Sequence, residues 1–510
     1  MILDAGTAER SAFAEPFDVC IIGAGPAGIT LARRLASAGA GVALMEGGDL
    51  DFSNDSQDLY TGRISGLDYF PLDAVRLRYL GGSSNHWAGA CRELDAHDFE
   101  PRPHHPWSGW PIGKEDLDPY QGEVARILRL DGGNFPDQPL RRDSDDFRRI
   151  LYRDSRPPLR FGEAFHDEIA ASDAIRLALN ANLVDLRLDD TLGTVTEARF
   201  RSLEADDPGF AVRARAYVLC AGGLENPRIL LNARSQIPAG IGNQHDLVGR
   251  FFCEHPYMRV GEVVFEERFF ATEYHAPTPD FLDAYEVLDF NLQLLADRPR
   301  TRQPLSLPKE VAREAVCVAP FTERLAQRVV GNTLSCADDL GLRAYFERRE
   351  MPEDFSGFAA IQFEQALDPS NRVRLAAERD ALGLQRIVLD WRLDDLDRRT
   401  MRTAVLHFGM LLADQGIGRV RVTDWILEDD FQAGNAAGDL SGSYHHMCTT
   451  RMSDDPRRGV VDRDCRVHGT SNLYAGGSSV FATAGHATPT FTILQLALRL
   501  GDHLDETLLG

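Results

Sequence analysis

The run Gly23-Ala24-Gly25-Pro26-Ala27-Gly28 sets three glycines at GxGxxG spacing. Such a run can rest a pyrophosphate on bare backbone N–H groups: Gly23 allows a tight turn, Gly25 lets the backbone approach, and Gly28 lets a helix and strand pack closely. Glu46, closing the next apolar run, is placed to hydrogen-bond a ribose hydroxyl. In Gly81-Gly82-Ser83-Ser84-Asn85-His86-Trp87, two glycines and two small hydroxyl residues make a loop that can lie along a flat isoalloxazine ring, with His86 and Trp87 at its end. Farther on, His445 and His446 open a polar, small-residue loop. A neutral imidazole there is suited to taking up a proton near pH 7. Thr488 precedes Pro489 and Thr490 at the head of an apolar helical pattern, where Thr488 can cap and Pro489 can take the first position. A helix N-terminus aimed at a flavin favours the anionic reduced ring.

These groups need elements to hold them. Val19-Cys20-Ile21-Ile22 reads as a strand buried on both faces. Ile29, Leu31, Ala32, Leu35 and Ala36 mark one face of the following helix, Gly39 ends it, and Val42-Ala43-Leu44-Met45 reads as the next parallel strand. A glycine fingerprint alone is weak evidence; strand, helix, second strand and acid at these distances make it a dinucleotide site. Alternation between residues 174 and 201 predicts short antiparallel strands that return the chain to the sheet. Arg215 to Cys220 reads as a buried strand, and Ala221-Gly222-Gly223 permits approach to a second side of the cofactor before a helix containing Pro227. Residues 247–256 read as a crossing between domains. Beyond them, Val260 to Phe265, Gly357 to Gln365 and a helix from Leu396 to Asp414 predict an antiparallel sheet with helices, forming one wall of a substrate chamber.

The chain has 510 residues, 43% of them hydrophobic and 26% charged, enough for two large domains or one discontinuous pair. A formal charge of -23 argues against nucleic acid or an anionic membrane surface as partner. The eight cysteines form no CxxC pair, residues 1–16 lack a signal-peptide pattern, and no run is long and apolar enough to span a membrane. A cytoplasmic protein without membrane insertion is expected. Without CxxCH no covalently attached haem is expected, so any electron exchange with a partner is expected to pass through a flavin. His104-His105 has no third ligand at metal spacing, so no metal site is expected.

GAGPAG, GGSSNHW, CAGGLENPRILL, VGRFFCEHP, YHHMCTTRM and the stretch from Gly459 to Asp502, taken in this order, resemble the glucose-methanol-choline (GMC) oxidoreductase family. The resemblance is strong over residues 15–120, 210–256 and 440–505, and lies nearest the branch of pyranose oxidases and bacterial glycoside oxidases. It implies an α/β fold, with a discontinuous Rossmann-like FAD-binding domain (15–100, 165–256 and 440–506) and an α+β substrate domain on an antiparallel sheet (101–164 and 257–439). It implies FAD as cofactor, held by Gly23, Gly25, Ala27, Gly28, Glu46, Gly82, Ser83, Asn85, His86, Val184, Ala221, Gly222, Gly477, Thr488, Pro489 and Thr490. The substrate class implied is a sugar, glycoside or related small-molecule alcohol, and the electron acceptor is oxygen or another molecule. In some relatives the histidine matching His86 is bonded covalently to the flavin, and in others FAD is held noncovalently by a similar loop.

The family's catalytic histidine maps onto His445. At the second catalytic position, where the family carries His or Asn, this chain has Thr488, which can hydrogen-bond a substrate hydroxyl but cannot accept a proton near neutral pH. His486, two residues earlier, is a possible compensation. Two other classes stay open at this point: a hydroxynitrile-lyase-like protein that keeps FAD structurally, and a catalytically silent FAD-binding partner.

Overall fold

Apolar runs without alternation fold here as strands buried on both faces. The computed structural model describes residues 1–6, 10–204, 207–269, 271–296, 355–428 and 440–510; Cys317, Cys336 and much of the expected substrate domain lie outside them. Six parallel strands form one sheet, in the order Ile2–Asp4, Ile175–Leu179, Val42–Met45, Phe17–Ile22, Ala214–Leu219 and Leu473–Ala475. The chain runs outward from Phe17–Ile22 in one direction and returns on its other side with Ala214–Leu219. That reversal makes a topological switch point, and in open α/β sheets ligands bind in the crevice outside the strand ends there.

Two expectations change. Ile175–Leu179, expected as antiparallel, lies parallel between Ile2–Asp4 and Val42–Met45, since four of its five side chains are buried and a strand covered on both faces belongs inside the sheet. Only Asn182–Leu188, Val195–Arg201 and Phe210–Val212 form the antiparallel part. The N-terminal residues contribute the edge strand Ile2–Asp4, three residues too short to carry a sequence pattern.

A seven-stranded antiparallel sheet forms the second body. Its main path runs Gly418–Val422, Pro256–Phe265, Ser356–Phe363, Phe290–Ala296, Thr272–Pro277 and Phe147–Ile150, with Leu440–Gly442 paired to Pro256–Phe265. Helix Asp395–Asp414 covers it with Met401, Ala404, Val405, Phe408, Leu411 and Leu412, the three- and four-residue spacing of one helical face. Its start is a capping box: the Asp394 carboxylate accepts from the Leu396 and Asp397 N–H groups, and the Asp397 carboxylate accepts from the Asp394 N–H.

The two sheets have separate hydrophobic clusters. Strand Arg63–Gly66, from the stretch assigned to the cofactor domain, pairs in parallel with Gln385–Trp391 from the other segment. On the parallel sheet, helix Pro26–Ser37 packs against the C-terminal helix Thr490–Leu508, where Arg34 pairs with Asp502 and Asp505. Among the described residues no helix is long and apolar enough to cross a membrane.

Close approach at the first turn sets a sharp stability requirement. A Cβ added at Gly28 would lie 1.9 Å from the Gly23 carbonyl oxygen, a backbone atom with nowhere to move. Gly28→Ala is expected to cost about 3 kcal/mol or more, the upper range for overpacking a core. Thermal unfolding beside wild type measures it, and an unchanged midpoint contradicts the packing.

Candidate active site

The strand Phe17–Ile22 and the strand Ala214–Leu219 end side by side, and the segments that follow them floor a cavity of about 580 Å³. Helix Pro26–Ser37 begins there, with Gly25 at its N-cap position and no side chain satisfying its first N–H groups. A Cβ added at Gly25 would meet nothing within 4 Å, whereas one at Gly23, with φ +105°, would sit 2.7 Å from the Cys220 carbonyl oxygen. Bare N–H donors thus face open space, backed by tight backbone packing, which fits a pyrophosphate. Glu46 is buried at the same end, with Oε2 accepting from the Ala24 N–H at 2.9 Å and Oε1 from the Gly48 N–H at 2.9 Å. Its carboxylate holds the turn, with further lone pairs for a ribose hydroxyl.

Gly23, Gly25, Ala27, Glu46, Gly82, Ser83, His86, Val184, Ala221, Gly222, Gly477, Thr488, Pro489 and Thr490 all line this cavity, as does His445. Gly28 and Asn85 do not. Gly28 serves the packing described above, and the Asn85 amide donates back to the Leu80 carbonyl at 2.9 Å, closing its own turn. His86 is exposed to the cavity, and its ring stacks on Tyr444 with centroids 6.3 Å apart. Burial and the charge of Arg160 lower its pKa.

Thr488 differs from its sequence reading. Its hydroxyl donates to the Ala90 carbonyl at 2.8 Å, and the helix begins at Thr490 with Pro489 in the N-cap position and no side-chain cap. Proline has no N–H and a fixed φ, so it starts the helix without help, and the Thr488 proton is committed elsewhere. The Thr488 oxygen keeps lone pairs that can accept from a ligand hydroxyl. His486 offers no compensation. It is buried away from the cavity lining, with Nδ1 2.7 Å from Asp289 Oδ2. Its backbone oxygen accepts from Tyr152, Gln362 and Asn291 at 3.0, 3.2 and 3.3 Å. Asp289 also faces His97 at 3.3 Å. Burial opposes a charge on His97, but Asp98 and Asp289 overcome it and raise its pKa to about 9, so the cluster reads as a buried ion pair.

The adjacent histidines part ways. His445 lines the cavity and its Nδ1 lies 2.9 Å from Nδ1 of His255. His446 also borders the cavity but is more deeply buried, with Nε2 engaged 3.1 Å from the Tyr69 hydroxyl, and burial, then Arg76 and His86, lower its pKa to about 3. Burial, then His255 and His446, hold the His445 pKa well below the ordinary imidazole value. Glu254 is buried near this loop, its carboxyl pushed up to about 8 by burial against the pull of the His445, Tyr444 and Ser443 N–H groups. In the sequence Glu254 and His255 fall within residues 247–256, the run that reads as a crossing between domains. The available signal was an acid and an imidazole entering an apolar strand.

Two substitutions separate cradle from cap. Gly25→Ala is expected to fold with an unchanged thermal midpoint without FAD, since its methyl meets no protein atom, yet to bind FAD at least ~10-fold more weakly, by intruding on the approach. Titration with FAD reads this, and unchanged affinity contradicts the cradle. Thr488→Val is expected to cost about 1 kcal/mol, the usual worth of one hydrogen bond. It should slow flavin reduction less than ~10-fold, a range below that of a lost general base; a larger loss assigns the hydroxyl a part in the chemistry.

Comparison with known proteins agrees with this architecture. The family model for GMC oxidoreductase matches residues 368–497, and the model for FAD dependent oxidoreductase matches residues 18–242. The 6'''-hydroxyparomomycin C oxidase of Streptomyces lividus is 25% identical, covering 98% of this chain and 92% of its own. The fructose dehydrogenase large subunit of Gluconobacter japonicus is 22% identical, covering 95% and 97%. Among solved structures, a fungal aryl-alcohol oxidase superposes with a TM-score of 0.59 at 16% identity, covering 97% of this chain and 100% of its own. Pyridoxine 4-oxidase from Mesorbium loti does so with a TM-score of 0.57 at 16% identity, covering 95% and 98%. Both structures share the fold. The C-terminal part of the chain is thus a GMC oxidoreductase domain and the N-terminal part an FAD dependent oxidoreductase domain, and the protein is an FAD-dependent oxidoreductase of CH–OH donors.

Proposed function

We propose that the protein oxidises a hydroxyl of a sugar, glycoside or related polyol to a carbonyl, with His445 as the base. The observation that carries this reading is an imidazole held neutral by its surroundings, in the cavity whose far end is the glycine cradle. FAD, when bound, supplies the hydride acceptor. Gly23, Gly25 and the first N–H groups of helix Pro26–Ser37 hold its pyrophosphate end, and Ala221, Gly222 and Gly477 leave room for its length. The uncapped start of helix Thr490–Leu508 places positive dipole beside the same cavity, favouring negative charge there. His445 removes the hydroxyl proton as the carbon–hydrogen bond breaks, so that a neutral carbonyl is left.

Gln362, from the seven-stranded sheet, lines the cavity with Ser443 and Tyr444 and brings polar groups suited to a second hydroxyl. A polyhydroxylated substrate is further supported by two relatives whose names specify a 6'''-hydroxyparomomycin C oxidase and a fructose dehydrogenase. A reducing, cytoplasmic setting belongs to the same proposal, supported by six described cysteines that are free and buried.

Anaerobic mixing with D-glucose, D-fructose, methyl β-D-glucopyranoside, paromomycin and 2-methyl-1,2-propanediol tests it. At least one sugar or glycoside is expected to bleach the yellow flavin absorbance. Absence of bleaching with all of them, together with cleavage of a cyanohydrin, overturns the reading. His445→Gln is expected to slow bleaching by ~100- to 10,000-fold with FAD retained, the usual worth of a general base.

The pH dependence follows from the sign of the shift. The protonated ring is inactive and its pKa lies well below 6.5, so the rate of flavin reduction should hold level from pH 8 to 6.5 and fall only below that. An acid limb centred above pH 7 contradicts it.

A further inference from the structure

A second imidazole touches His445 without lining the cavity. His255 stands just before strand Pro256–Phe265, fully buried, with its ring nearly perpendicular to that of His445. The 2.9 Å contact joins Nδ1 to Nδ1, so it needs one proton and one lone pair. The other contacts of His255 decide which ring supplies which. Its Nε2 lies 3.4 Å from the Ala484 carbonyl oxygen, an atom that only accepts, so the Nε2 carries the proton. The Gln362 side-chain amide approaches His255 Nδ1 at 3.4 Å and donates its other N–H to the His486 carbonyl at 3.2 Å, which fixes its nitrogen on this side.

A neutral ring with its proton on Nε2 has its lone pair on Nδ1. His255 is neutral because burial, assisted by His486 and opposed by Glu364 and the Ala484 and Gly485 carbonyls, lowers its pKa to about 4. The bond therefore runs from His445 Nδ1–H to His255 Nδ1.

We propose that His255 is a positioning residue that locks His445 in the Nδ1-protonated tautomer, so that the lone pair left for the substrate hydroxyl sits on Nε2. This rests on the reading of His445 as the base. A free neutral imidazole prefers its proton on Nε2, which would put a hydrogen where the base needs a lone pair. With His255 in place, the hydroxyl proton moves to His445 Nε2, the Nδ1 proton stays, and the resulting imidazolium donates a charge-assisted bond to His255. A carboxylate can orient a catalytic histidine in the same way. A buried neutral imidazole does so without adding a negative charge that would raise the pKa of the base.

Asparagine and glutamine at position 255 isolate this role. The amide oxygen of Asn falls near the position of Nδ1 and can accept from His445; that of Gln falls near Nε2 and cannot. His255→Asn is expected to reduce flavin within ~5-fold of wild type, with the panel alcohol that bleaches it fastest. His255→Gln is expected to be ~100-fold slower at unchanged FAD content and substrate affinity, a loss in the range for a misdirected general base. Equal rates for the two variants, whether fast or slow, overturn the inference. His445→Gln stands as a separate arm: if it bleaches at the wild-type rate, the base reading itself falls. Nitrogen-15 histidine spectra of wild-type holoenzyme give a measure that no variant at 255 can spoil. The ring whose signals vanish in His445→Gln should carry its proton on Nδ1, and a proton on Nε2 overturns the inference.

Discussion

Backbone lying directly on backbone at the ends of two parallel strands is the constraint on which the rest of the structure depends. A side chain at Gly23 would meet the Cys220 carbonyl at 2.7 Å, and one at Gly28 would meet the Gly23 carbonyl at 1.9 Å. That contact lets helix Pro26–Ser37 start flush with the strand ends at the switch point, with its N–H groups bare. Asn226 fastens the neighbouring ends. Its amide nitrogen donates to the Leu219 and Gly476 carbonyls and to Ser479 Oγ, while its oxygen accepts from the Ala221 N–H. A floor without side chains follows from these two devices, open to the flat approach that the proposed FAD site requires.

The distance between floor and chemistry is bridged by buried polar groups. Arg102 and Glu364 form a two-pronged pair at 2.7 and 2.8 Å, and Glu364 stays ionised because Arg102 and His105 outweigh its burial. Asp289, one residue before strand Phe290–Ala296, holds His486, two residues before Thr488, while Gln362 and Asn291 hold the backbone of His486 from the same sheet. Buried pairs of this kind gain little net stability because desolvation offsets their attraction. Their consequence here is geometric: the turn leading into helix Thr490–Leu508 is tied to the antiparallel sheet, so both walls of the cavity share one frame.

Much of this was legible in the sequence because the relevant forces are local. Period-free apolar runs gave the strands Phe17–Ile22 and Val42–Met45, and the glycine spacing gave the turn between strand and helix. The helix Asp395–Asp414 announced itself by its apolar face and by the glycine after it. What stayed hidden depends on pairing across hundreds of residues. Ile175–Leu179 alternates weakly, and only its neighbours make it parallel. Asn85 looked like a ligand by its place in a motif, but it stands outside the cavity lining and its amide donates to the Leu80 carbonyl. Thr488 looked like a cap by position, and its hydroxyl reaches Ala90, 398 residues away. His255 meets His445 across 190 residues, a separation at which no spacing rule operates.

The electrostatics around the loop at 443–446 form a consistent set. His255, His445 and His446 all have pKa values pushed below the ordinary imidazole value, in each case first by burial. Three adjacent imidazoles would reach that state unaided only if no negative charge stood near them, since a carboxylate within a few ångströms raises an imidazole's pKa. Glu254 is such a neighbour in sequence and in space, facing the N–H groups of this loop. Burial lifts its own pKa to about 8, which weakens the negative charge it presents to the histidines near pH 7. The same desolvation that keeps the histidines unprotonated therefore also disfavours charge on the acid beside them. A base lone pair at neutral pH is thus a property of the whole buried loop and of how deeply strand Pro256–Phe265 carries Glu254 and His255 beneath it.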